Sequence, residues 1–147
     1  MIYTSDSEEG TLELGRKLSR ILPKGTVVAL HGDLGAGKTV FSRGFARGLG
    51  ITEPVTSPTF TVVQEYAIPS GGYFYHLDMY RIADEGAALA FGIDEYLFQP
   101  DALTLVEWPE RIEKLLDTAQ VLHLELSHAG EETRAISIPD EIAGKLL

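Results

Sequence analysis

Apolar positions recur every three to four residues between Ser5 and Leu22, placing Leu14, Leu18, Ile21 and Leu22 on one face of an amphipathic helix. Its start reads as a Ser5-Asp6-Ser7-Glu8 capping pattern, and Pro23-Lys24-Gly25 ends it. Thr26 to Leu30 is then a short apolar, β-branched run of the kind found in a buried parallel strand, and it leads straight into a glycine-rich turn. A second helix is expected from Lys38 to Leu49, stopped by Gly50. Phe60 to Ala67 and Tyr73 to Asp78 are β-rich and flank Pro69-Ser70-Gly71-Gly72, which makes them a hairpin. The helical pattern of Ala83 to Leu97 is interrupted at Gly92, and a buried strand from Leu103 to Val106 ends in Glu107. Pro109 suits a first helical turn, so a helix is expected from Glu110 to Leu116. Val121 to Leu126 and Thr133 to Ile138 form a second hairpin around His128-Ala129-Gly130-Glu131, with a weak helix from Asp140. Strands alternating with helices predict an α/β domain over residues 1–147, a mostly parallel sheet with helices on both faces and antiparallel hairpins widening it.

Composition narrows the class. At 147 residues with 44% hydrophobic content the chain can bury one core. No run approaches the roughly 18 to 20 apolar residues of a membrane span, and acidic residues rather than a basic segment follow Met1-Ile2-Tyr3. A cytoplasmic protein is expected. There is no cysteine, hence no disulfide, thiol nucleophile or cysteine zinc site, and the histidines at 31, 76, 123 and 128 are too scattered along the chain to mark one. A formal charge of −10 repels polyanions at long range, so any bound anion must be held by local dipoles and cations. Two basic clusters, Arg16, Lys17, Arg20 and Lys24, and Lys38, Arg43 and Arg47, read as solvated helix faces.

The chemistry centres on Gly32-Asp33-Leu34-Gly35-Ala36-Gly37-Lys38-Thr39, which fits G-x-x-x-x-G-K-[ST] and lies between an expected strand and an expected helix, the context the motif requires. In such a loop the backbone N–H groups of Leu34, Gly35, Ala36 and Gly37 face a polyphosphate, assisted by the positive end of the helix. Lys38 reaches the β and γ phosphates, and the Thr39 hydroxyl ligates magnesium. The metal needs an acidic partner at the end of a neighbouring strand, commonly an aspartate after apolar residues. Two carboxylates compete. Glu107 follows the apolar Leu103-Thr104-Leu105-Val106, while Asp78 follows the more mixed Tyr73-Phe74-Tyr75-His76-Leu77. Both fit if one takes the metal and the other orients the attacking water. Trp108, the single tryptophan, is read first as packing and second as a stacking surface. Ser57-Pro58-Thr59 reads equally as a γ-phosphate-sensing loop and as a plain turn. The chain has no asparagine, which excludes a guanine-selective Asn-Lys-x-Asp loop and favours adenine.

Beyond the P-loop, Thr11-Leu12-Glu13-Leu14-Gly15, Ser57-Pro58-Thr59-Phe60-Thr61, His76-Leu77-Asp78-Met79-Tyr80-Arg81, Gly92-Ile93-Asp94-Glu95-Tyr96 and Val106-Glu107-Trp108-Pro109-Glu110 occur in this order. With that set the chain resembles the TsaE (YjeE) family, small bacterial ATPases of tRNA threonylcarbamoyladenosine synthesis. Only the segment after Pro139 carries no recognisable signature. The resemblance implies a P-loop α/β fold, ATP and Mg2+ as cofactors, Thr39 and Glu107 as metal ligands and Asp78 as required for turnover. It also implies a nucleotide close to Glu9, Thr11 and Arg134. TsaB and TsaD are the implied partners, with tRNA reached only through the complex. Two rivals remain: a small P-loop kinase, for which only Arg81, Arg111 and Arg134 could furnish a lid, and a nucleotide-gated binding module with negligible hydrolysis.

Overall fold

The computed structural model describes residues 1–32, 37–55, 62–118 and 120–146. The strands are β1 (Ile2–Ser5), β2 (Val27–Gly32), β3 (Val63–Ala67), β4 (Tyr73–Asp78), β5 (Ala102–Glu107), β6 (Val121–His128) and β7 (Arg134–Ser137). The helices are α1 (Glu8–Ile21), α2 (Lys38–Gly48), α3 (Glu85–Phe91) and α4 (Asp140–Leu146). All seven strands join one sheet in the order β1-β7-β6-β2-β5-β4-β3. Its middle is parallel, since β2 pairs with both β5 and β6, and β4 with β5. Its margins are antiparallel, formed by β3 on β4, β6 on β7 and β1 on β7.

Alternation along the central strands supplies two cores. Val28 and Leu30 of β2 pack with Leu14 and Leu18 of α1, Phe41 and Phe45 of α2 and Ala143 of α4. Val27 and Ala29 face the other way, toward Ala88 of α3, Ile93, Ile112 and Leu116. Helical segments thus cover both faces. The six residues of β2 lie in the middle of the sheet, which explains why the run reads as continuously apolar rather than alternating. Among the described residues no helix is long and apolar enough to cross a membrane.

Two local expectations change and one holds. The chain opens with β1, an edge strand, and α1 starts at Glu8, capped by Ser7, whose hydroxyl accepts from the Gly10 N–H at 3.1 Å. Ser5 belongs to the strand, and its buried hydroxyl meets that of Thr11 at 2.9 Å. Pro109–Leu116 is a 3₁₀ segment rather than an α-helix, because the chain bends at Ile112 (φ −130°, ψ 36°), whose side chain is fully buried. The interruption at Gly92 is real: α3 ends there in a left-handed C-cap, and a 3₁₀ turn follows over Ile93–Glu95.

Candidate functional site

The C-terminal ends of β4 and β5 and the N-terminal ends of α1 and α2 open onto one cavity of about 770 Å³. Such a position, outside the carboxyl ends of parallel strands, is where open α/β sheets bind ligands. Gly37 caps α2 with a left-handed backbone (φ 97°, ψ 15°), which glycine adopts without the Cβ penalty that other residues meet. Among the described residues no side chain caps this helix, and no acidic residue lies in its first turn, so its positive end faces the cavity. Leu34, Gly35 and Ala36, and the Ser57-Pro58-Thr59 segment, lie outside the described residues.

Lys38 is 6% exposed. Its Nζ donates to the Gly32 carbonyl at 2.8 Å and lies 4.4 Å from the centroid of the Trp108 ring. Thr39 lines the same cavity. The two carboxylates that compete along the sequence are neighbours in space, because the parallel register sets Asp78 of β4 opposite Glu107 of β5. Both are buried and both border the cavity. Asp78 Oδ1 accepts from the Tyr80 N–H at 2.9 Å, and Glu107 Oε2 lies 2.6 Å from His76 Nε2. Burial pushes the Asp78 carboxyl above its ordinary range and the neighbouring Glu107 adds to this, while the Tyr80 N–H, His76 and Lys38 oppose it.

Glu9 and Thr11 reach the cavity from α1, and Arg134 reaches it from the start of β7. Every described residue expected at a nucleotide site is therefore on its wall. Sequence reasoning missed Ser7, Glu8 and Glu132, which also line it and whose positions follow from the ends of α1 and the β6–β7 turn. Trp108 proves to be a wall residue, with a left-handed backbone (φ 57°) and its ring 5.0 Å from that of Tyr80. His76 was also missed as a partner of Glu107, although a period of two puts it on the same side of β4 as Asp78. Elsewhere the fold joins two of the scattered histidines, with His31 Nε2 3.0 Å from His123 Nδ1.

The hydroxyl of Thr39 and the carboxylates of Glu107 and Asp78 are hard oxygen donors, which fit magnesium better than zinc. Among the described residues no three His, Asp or Glu side chains gather to hold an ion by themselves. Magnesium sites beside nucleotides commonly use one or two carboxylates together with phosphate oxygens and water.

Comparison with known proteins places the chain in a family. The family model described as "Threonylcarbamoyl adenosine biosynthesis protein TsaE" matches residues 5–136. The tRNA threonylcarbamoyladenosine biosynthesis protein TsaE of Bacillus subtilis is 42% identical over 132 residues, covering 88% of this chain and 78% of that protein. Its counterpart in Haemophilus influenzae is 42% identical over 120 residues, covering 78% and 75%. The crystal structure of YdiB from Bacillus subtilis superposes with a TM-score of 0.79 at 30% identity, covering 99% of this chain and 93% of that one. With a family match across most of its length and a P-loop α/β fold around the cavity, the chain belongs to the TsaE family of tRNA threonylcarbamoyladenosine biosynthesis.

Proposed function

We propose that this protein binds ATP with Mg2+ in the cavity at the strand ends and hydrolyses it in support of threonylcarbamoyl transfer to the tRNA adenosine beside the anticodon. In this reading it acts in the cytoplasm with TsaB and TsaD, and tRNA is met only through the complex. The observation that carries the reading is the meeting, in one cavity, of the α2 N-terminus, Lys38, Thr39 and the paired carboxylates Asp78 and Glu107. A helix end and a lysine provide for phosphate, and a hydroxyl beside two carboxylates provides for a divalent cation.

Roles follow from position. Lys38, on the cavity wall, takes the β and γ phosphates, and the motif assigns the N–H groups of Leu34, Gly35, Ala36 and Gly37 to the same phosphates. Thr39 and Glu107 hold the cation, which when bound draws charge from the phosphate oxygens. Asp78, whose raised proton affinity suits a base, orients and deprotonates the attacking water. Glu9, Thr11 and Arg134, which also line the cavity, hold the nucleoside.

The experiment is calorimetric titration with ATP and ADP at several Mg2+ concentrations, followed by ADP release with and without TsaB and TsaD. Saturable Mg2+-dependent binding and hydrolysis that rises with both partners are expected. No binding, or hydrolysis indifferent to the partners, would overturn the reading. Product formation that depends on an added acceptor would favour a kinase instead.

A further inference from the structure

We infer that His76 is a positioning residue that fixes the Glu107 carboxylate for its divalent cation, an inference that rests on the reading of Glu107 as a metal ligand. The parallel register puts His76 opposite Leu105 and Asp78 opposite Glu107, so the imidazole lies one step below the two carboxylates on the α2 side of the sheet. His76 is completely buried. One face of its ring stacks with Phe74 at a centroid distance of 6.0 Å, and its Nε2 lies 2.6 Å from Glu107 Oε2. Its Nδ1 has no hydrogen-bond partner among the described residues.

Full burial against Phe74 would suit an apolar ring equally well on packing grounds, since a buried imidazole gives up hydration that its hydrogen bonds must replace. What the imidazole adds, among the described residues, is the bond at Nε2. A glutamate serving as a metal ligand is ionised and only accepts, so Nε2 carries the hydrogen and donates it to Oε2. The other oxygen, Oε1, remains for the cation. The need for such a brace follows from the residue type. Strand-end ligands of this kind are commonly aspartates, and glutamate has one more rotatable bond, whose freedom must be removed before the carboxylate is aimed. Ligating carboxylates are commonly held by hydrogen bonds from a surrounding shell, and losing such a partner lowers metal affinity by about 10- to 100-fold.

The test compares the parent with His76→Phe, which keeps the ring stack and removes the donor, and His76→Gln, whose amide N–H reaches to a similar distance. Binding of a non-hydrolysable ATP analogue is measured without metal and across a Mn2+ series, with free Mn2+ read by electron paramagnetic resonance. The inference expects metal-free affinity to be kept in all three proteins. It expects H76F to bind Mn2+ about tenfold or more weakly and H76Q to recover most of that loss. Equal Mn2+ affinity in the parent and H76F, or an H76Q as weak as H76F, would overturn the role of His76 and leave the metal reading intact. If the parent itself shows no metal dependence, the metal reading fails and the inference with it. Should H76F not fold, His76→Met against H76Q makes the same comparison.

Discussion

Lys38 is gripped on two sides, by the Gly32 carbonyl and by the Trp108 face, so its ammonium is held in place at the cavity wall. Replacing it with alanine removes a charge-assisted contact worth roughly 1.5–3 kcal/mol, and ATP affinity should fall on the order of 10- to 100-fold. Unchanged affinity by calorimetry would refute the assignment. Asp78 makes a different prediction. Asp78→Asn keeps the oxygen that accepts from Tyr80 but cannot act as a base, so ATP binding should survive while hydrolysis drops by about 100-fold or more. The same variant has a stability signature. Because the folded-state pKa of Asp78 is raised, its stabilising contribution is complete below the unfolded-chain value and is lost as pH rises through the folded one. Without nucleotide or metal, Asp78→Asn should therefore match the parent at acid pH and melt at a higher temperature once pH exceeds the folded pKa of Asp78. A thermal advantage that grows on acidification would contradict this.

The α1–α2 pair holds the cavity-facing end of α2 in place, and the two helices touch backbone to backbone. A Cβ built on Gly44 would stand 1.9 Å from the Leu12 carbonyl oxygen, so α2 can lie at this distance from α1 only with glycine there. Gly44→Ala should cost about 1–3 kcal/mol, typical of overpacking. That corresponds to a melting-temperature drop on the order of 3–10 °C by scanning calorimetry. A variant as stable as the parent would show that the helices separate freely. The elements that sequence periodicity missed share a cause. β1 is an edge strand whose Ile2 and Thr4 are exposed, and Ser5 and Ser7 are both plausible caps until pairing with β7 claims the first for a strand. In the 3₁₀ segment Pro109 marks a helical start correctly, but a left-handed Trp108 before it and the inward pull of Ile112 set a tighter path.

Across the whole molecule the charge of −10 sets what can approach. Lys17, Arg20, Lys24, Arg43 and Arg47 are exposed, yet they are few beside the several phosphate contacts that useful RNA affinity requires. The isolated protein should therefore not retain tRNA at physiological salt, and retention should appear only when TsaB and TsaD are added. Filter binding checks this, and tight binding by the chain alone would refute it. The P-loop motif was legible from sequence because it is local: Gly32 to Thr39 are contiguous between a strand and a helix start, with Lys38 and Thr39 at set spacings. The two-core α/β plan was legible for a similar reason, since strand and helix periods are properties of neighbouring residues. Both carboxylates were candidates from sequence, but that they stand side by side was not legible. Asp78 and Glu107 are separated by α3 and a 3₁₀ turn, and only the parallel register of β4 on β5 makes them neighbours. The link between His76 and Glu107, the meeting of His31 and His123, and the placing of Trp108 over Lys38 are likewise decisions of strand order. Each depends on which segments pack side by side, a cooperative outcome of burying both faces of the sheet, and no pattern confined to one segment encodes it.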